Sequence, residues 1–416
     1  MEIDCAQVVV ASLPEAISGQ DPLALGCAIA RARDAGDSSA AELEFAETIR
    51  LGMTLTAGEF VLIADDWLSQ NETAPAEWRR AVMWSASAAH EWLLDFDRAS
   101  ELARRAVEID ETPSDIIRRS RQDSAEVAEI MASAGGPELV GGLEEISVAK
   151  INRHGYWLLR IPINGRPASV IIDTGSPDNL VAQEDAGRLN LELISSSTEY
   201  RRWGGRRKIP YMRARQVEFD GALLKNAVFK IEPGAQLHPW TTAVIGASLL
   251  FLNRTVAWEK STRKIFFGDK ARLRSKCLTH HGRLYRAGPG SFLIEAEVGG
   301  RPVLLILDTG GQTMYFTPRF DRYIPAQGER PRSRGEGDVF YEGRMLRREF
   351  EIFRHLEIDL AGAKLKLKRA PGYMIGEEVT QLGPIGTLGV GELKQLELFA
   401  IDFDSMTYLA SKEGCA

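Results

Sequence analysis

Cysteine and histidine are scarce in this chain of 416 residues, which has four of the first and six of the second. Cys5, Cys27, Cys277 and Cys415 show no close paired spacing, and His280 and His281 are merely adjacent. That pattern argues against a structural zinc site and a dense disulfide framework, and no metal or cofactor is expected. No apolar run reaches 18 residues, so no membrane span is expected. The opening segment MEIDCAQVVVASLPEAISG lacks the basic start and sustained apolar core of a secretory leader. As written it predicts a cytoplasmic protein, or a periplasmic one if the sequence is a trimmed precursor. Aromatic platforms at regular intervals and a recognition helix are also lacking, so nucleic acid is not an expected partner despite local basic clusters.

What is present is a duplication. Asp173-Thr174-Gly175 and Asp308-Thr309-Gly310 lie 135 residues apart, each preceded by an apolar run, Val170-Ile171-Ile172 and Leu305-Ile306-Leu307. Segments 155–190 and 290–325 align around them at that same offset without a gap, so each copy supplies one carboxylate. Each run reads as a buried strand, and Gly175 and Gly310 permit a closely packed turn just past it. If a pseudo-twofold axis relates the copies, Asp173 and Asp308 meet at the junction, where two neighbouring carboxylates resist joint ionisation and share a proton. One then acts as base and the other as acid. The hydroxyls of Thr174 and Thr309 are placed to tie the two turns together.

These residues resemble the bacterial retropepsin-like aspartic proteases with two lobes fused in one chain, over about 145–412. Each lobe of that family closes with an apolar pair and glycine before a terminal strand pair; here Val244-Ile245-Gly246 and Thr387-Leu388-Gly389 stand in those places. The tails also match one another, Val256-Ala257-Trp258-Glu259 with Phe399-Ala400-Ile401-Asp402. The resemblance implies an endopeptidase acting on a peptide or protein substrate, with Asp173 and Asp308 activating water and neither metal nor covalent nucleophile required. Thr174, Gly175, Ser176, Thr309, Gly310 and Gly311 would support the two turns. Ser176 matches the small hydroxyl residue usual in the family and is expected to bond the outer oxygen of Asp173. Gly311 departs from that pattern, so Asp308 is expected to be less restrained. Between each triplet and its closing glycine the family carries a substrate-covering hairpin. The first candidate turns at Gly204-Gly205 and offers Trp203 or Tyr211 to substrate; the second turns at Gly335 and Gly337 and carries Tyr341.

Composition changes upstream. Segments 40–57, 75–96 and 97–110 read as helices, with Pro75 and Pro113 as boundaries, and residues 96–113 weakly resemble the second helix and exit turn of a tetratricopeptide unit. The expected fold is multidomain α+β: an α-helical accessory domain over 1–140, then a mainly β, two-lobed retropepsin/pepsin-like region. Its first lobe is expected at 145–270, a connector at 271–286 and the second lobe at 287–412. Residues 1–140 hold 26 acidic and 11 basic side chains, a balance of −15, which leaves +8 for the rest of a chain whose net charge is −7. Opposite charge suggests docking of the acidic helices near the first hairpin, where Arg201-Arg202 and Arg206-Arg207-Lys208 cluster. The helices also suit binding of a protein partner. Two alternatives stand beside the protease: a catalytically weak or inactive peptide-binding protein that kept the fold, and a helical scaffold.

Overall fold

A computed structural model describes the chain except residues 1–4, 7, 9–11, 20, 113, 153–154, 202–204, 233–240, 289, 312–313, 323–331, 342–343, 375–382 and 415–416. Seven helices come first: α1 Leu13–Gly19, α2 Pro22–Ala35, α3 Ala40–Thr54, α4 Ala57–Gln70, α5 Ala76–Trp92, α6 Phe96–Glu108 and α7 Asp115–Ser133. Their starts follow local chemistry. Asp21 caps α2 through Oδ1, with Pro22 in the first turn where its missing N–H costs nothing. Segment 40–57, expected as one helix, splits because Thr56 and Glu59 form a capping box that starts α4 immediately after extended Leu55. Pro75 precedes α5 as expected; Pro113 lies outside the described residues. No helix among the described residues is long and apolar enough to cross a membrane.

The remainder is mainly β, giving a two-part α+β architecture. One sheet contains β1 Trp157–Ile163, β2 Arg166–Ile172, β3 Asn179–Ala182, β4 Glu192–Arg201, β5 Gly205–Phe219, β6 Ala222–Glu232 and β7 Ala243–Ile245. Asn164-Gly165 and Asp220-Gly221 close two of its hairpins; Asn164 and Gly165 both take positive φ, as a two-residue turn between right-twisted strands requires. The second copy repeats the plan with β11 Phe292–Val298, β12 Arg301–Asp308, β14 Arg332–Tyr341, β15 Arg344–Leu360, β16 Ala363–Met374 and β17 Gly386–Gly389. Between the copies in sequence run β8 Thr255–Glu259, β9 Lys264–Phe267 and β10 His281–Arg286; β13 is Tyr315–Phe316, and β18 Leu398–Asp402 and β19 Thr407–Ser411 end the fold.

The copies are joined by a sheet of tails. Strand 145–147 pairs with β9, β9 with β8, β8 with β18, β18 with β19, and β19 with β10. In the central antiparallel pair Ala257 faces Ala400, the two residues that the sequence repeat makes equivalent. A pseudo-twofold axis therefore passes between them. Within the segment expected as a connector, 271–286, the first part belongs to helix Gly268–Ser275 and the end forms β10 in this joining sheet.

Two further differences concern covalent and turn chemistry. Cys5 and Cys27, 22 residues apart, are disulfide-bonded with Cα atoms 5.5 Å apart, and Cys277 is disulfide-bonded too. Sequence spacing gave no sign of either bond. Gly335 and Gly337, expected as turn points, lie inside β14 opposite Phe350 and Arg348; pairing runs on to Tyr341 opposite Arg344. Among the described residues β14 pairs with β15 alone.

The helical part is seated on the β part through specific contacts. Trp92, at the end of α5, donates its indole N–H to the Gly288 carbonyl and meets Phe292 and Phe403 edge-on at 5.7 and 5.5 Å. Arg286 is buried beneath it, its guanidinium over the rings of Phe60 and Trp92; such stacking offsets part of the cost of a desolvated cation. Asp21, besides capping α2, accepts from the Gly383 N–H.

Candidate active site

The apolar runs before the two triplets are strand residues, Val170 and Leu307 being fully buried. Each strand pairs in parallel with the closing strand of its own copy, Ile172 opposite Ile245 and Asp308 opposite Gly389. The chain must turn where each pair ends, and each aspartate stands at that point. The turns then interlock. Thr174 N–H donates to Thr309 Oγ1 at 3.0 Å and Thr309 N–H to Thr174 Oγ1 at 2.9 Å. Each hydroxyl donates in turn to the other copy's strand, Thr174 to Leu307 O and Thr309 to Ile172 O, both at 2.8 Å. Both side chains are buried, so every bond forms away from water.

This lock brings the carboxyl groups together. Asp173 Oδ1 accepts from Gly175 N–H at 2.7 Å and from Gly310 N–H, of the other copy, at 3.1 Å. Gly311 N–H donates to Asp308 Oδ1 at 2.6 Å. The crossing depends on glycine: a Cβ on Gly310 would fall 2.1 Å from Asp173 Cγ, and one on Gly175 would fall 2.7 Å from Asp308 Cγ. The turns thus set each carboxyl group against the triplet of the other copy. Burial first, then the charge of Asp308, pushes the Asp173 carboxyl well above the usual carboxylate range, against the pull of the Gly175 and Gly310 amides.

The supporting residues divide. Thr174, Gly175, Thr309, Gly310 and Gly311 all touch the pair or its lock. Ser176 does not do what was expected of it: its hydroxyl donates to the Asp178 carbonyl at 2.7 Å, so the turn's own backbone satisfies it. At the second turn the Gly311 amide bonds Asp308. Of the hairpin candidates, Trp203 and Gly204 lie outside the described residues. Gly205 pairs with Arg201 at the end of the β4–β5 ladder. Tyr211 is 1 % exposed and packs in a cluster with Ile130 and Ala134 of the α7 region, because α7 covers that face of the hairpin.

Three titratable residues around the two turns were not singled out from sequence. Tyr156 is buried among Ile171, Val244 and Val390, and its phenol is raised by burial first and then by the charges of Asp308 and Asp173. Glu392 accepts from Met314 N–H at 2.7 Å and so braces the segment following the second triplet; burial pushes it up to about 7. Glu91, at the end of α5, is pushed up to about 8 by burial and by the charge of Asp178. The repeat itself carried a sign of the first two, since Tyr156 aligns with Ser291 and Glu392 with Leu249. Glu91 had none, because its neighbour is 87 residues away.

A family model described as aspartyl protease matches residues 159–257, which contain the first triplet and its closing glycine. Similarity to the aspartic protease superfamily is thus found over the first copy. Among solved structures, a retropepsin-like aspartic protease from Rickettsia conorii is 20 % identical over 32 % of this chain and 92 % of its own, with a TM-score of 0.23. No curated protein matches.

Proposed function

We propose that this chain is an aspartic endopeptidase with Asp173 and Asp308 as its catalytic pair. The observation that carries the reading is the interlock of the two triplets, which sets the Asp173 carboxyl against Gly310 and the Asp308 carboxyl against Gly175. The pair holds one proton. The ionised member takes a proton from water as its oxygen attacks the peptide carbonyl, while the protonated member donates to the carbonyl oxygen. Collapse of the tetrahedral intermediate passes a proton to the departing amine and restores the shared proton. Substrate would lie between lobes 145–270 and 287–412, under the hairpins β4–β5 and β14–β15, with helices 1–140 as an accessory domain. The Cys5–Cys27 bond supports residence in an oxidising compartment, which favours the periplasmic over the cytoplasmic expectation.

The test is cleavage of a diverse peptide mixture from pH 3 to 8, read by mass spectrometry, with Asp173→Asn and Asp308→Asn beside the parent. Cuts made by the parent and lost in both variants are expected. Cuts that survive either substitution would rule the pair out, and no cuts at any pH would favour the peptide-binding alternative.

A further inference from the structure

The hairpin β4–β5 is not free to move on its own. Among the described residues its outer strand β4 is the last in its sheet, so one row of its backbone groups has no neighbouring strand there. Helix α7 lies along it. Val127, Ile130, Met131 and Ala134, spaced as one helical stripe that runs just past the helix end, close over Ile194, Ile209, Tyr211 and Val228. A second stripe, Ala125 and Ala128, packs on Ala103 of α6 with Trp84 and Val107, and its small side chains let the two helices approach closely. One helix therefore grips the helical part with one face and the hairpin with another. Between the stripes, Glu126 Oε2 accepts from the fully buried Ser197 hydroxyl at 2.7 Å and from Thr198 N–H at 3.3 Å. At the hairpin's root, Tyr211 pairs with Lys230, whose ammonium lies 3.8 Å from Asp178, five residues beyond Asp173. The contact chain from α7 ends beside the first triplet's turn.

We propose that α7 fixes the height of the first hairpin above the substrate cleft, with Glu126 as a positioning residue supplied from outside the two-lobed region. The hairpin is then a built wall of the cleft, and the helical part tunes substrate affinity without touching the reacting atoms. This rests on the protease reading for its effect on substrate, though not for the fixing itself. Among the described residues the contact with the hairpin is made by one apolar stripe and the Glu126 carboxylate.

The experiment uses the full chain with Glu126→Ala, Glu126→Gln and, as control, Glu129→Ala, a change at an exposed position on the same helix. Amide exchange of residues 192–201 is measured together with KM and kcat on a peptide that the parent cuts. Losing two hydrogen bonds to a carboxylate should speed exchange about tenfold in Glu126→Ala. KM should rise several-fold while kcat stays within about twofold, as loss of ground-state binding requires. Glu126→Gln keeps an acceptor oxygen and should recover most of both, and Glu129→Ala should match the parent. Unchanged exchange in Glu126→Ala overturns the proposal, as does faster exchange with parental KM. Faster exchange in Glu126→Ala, restored in Glu126→Gln, in a parent that cuts nothing would leave the support standing and sink the protease reading instead.

Discussion

Thr174 and Thr309 each give a backbone N–H to the other's hydroxyl, and each hydroxyl passes its proton to the opposite strand. Four buried bonds thus depend on two methyl-bearing side chains of nearly the size of valine. Thr174→Val should strand the Thr309 amide and the Leu307 carbonyl, at about 1–3 kcal/mol for each group left without a partner. Denaturant unfolding of Thr174→Val, Thr309→Val and the double variant tests this. The double variant should lose clearly less than the sum of the two, because the residues form one network. Additive losses would show that the lock does not act as a unit.

The raised carboxyl of Asp173 makes a signed prediction about pH. In the unfolded chain it ionises near pH 4, whereas folded it keeps its proton to higher pH, chiefly because it is buried and then because Asp308 is beside it. Glu392 and Glu91, pushed up to about 7 and 8, behave alike. The folded state therefore binds more protons than the unfolded one above pH 4, and the stability these groups contribute is full below that pH and lost as pH rises towards 8. Asp173→Asn should raise stability by about 1–3 kcal/mol at pH 8 and change it little at pH 4, while abolishing cleavage. Thermal unfolding at the two pH values decides it; a destabilised variant at pH 8 would mean that the carboxyl groups do not share a proton.

Both halves of the lock were legible in the sequence because they repeat: the triplets and their apolar approaches occur twice at one offset, and a closing glycine follows each. Turns set by two adjacent residues, Asn164-Gly165 and Asp220-Gly221, were legible for a different reason, since their conformations are local. Gly335 and Gly337 misled by the same reasoning, because pairing register, not glycine alone, decides where a long hairpin turns. The individual contacts that seat the helical part left no sequence signal. Glu126 finds Ser197 across 71 residues, and Trp92 finds Gly288 across 196. Such contacts follow from topology, and neither partner's surroundings carry a pattern that names the other.

Asp110 should respond to pH in the opposite sense from Asp173. Burial opposes its ionisation, but bonds from Thr112 and Arg121 prevail and hold the carboxyl down at about 2. Arg80 and Arg121 both reach it at 3.0 Å, so it joins the start of α5 to α7. Its contribution is present above the unfolded value near 4 and is lost as pH falls towards 2. Asp110→Asn should cost about 1.5–3 kcal/mol at pH 7, the range for a hydrogen bond to a charged group. The difference from the parent should shrink below pH 3. A gap in melting temperature that is the same at pH 7 and pH 3 would show that the ion pairs contribute nothing.

The disulfide between Cys5 and Cys27 ties the segment ahead of α1 to α2, whose Cys27 is buried. Closing a loop of this length removes freedom from the unfolded chain equivalent to about 3 kcal/mol. Cys5→Ala, which leaves the buried position untouched, should melt lower than the oxidised parent, and reductant should narrow the gap between them. If the parent melts identically with and without reductant, the bond is not contributing to the fold.

Gly311 is where the two copies differ beside the pair, and its lack of a side chain is a steric requirement. A Cβ there would lie 2.6 Å from Asp308 Oδ2, closer than non-bonded atoms approach, so the carboxyl would have to turn. Turning it strains the bond from Gly311 N–H and moves Asp308 relative to Asp173. Gly311→Ser, which makes the second triplet read like the first, should therefore lower kcat by at least about tenfold, since small misplacements of reacting groups cost rates of that order. Stability should fall far less than in the threonine variants, because the lock itself is not touched. Cleavage equal to the parent's in Gly311→Ser would show that Asp308 has room to adapt and that the asymmetry between the copies has no catalytic meaning.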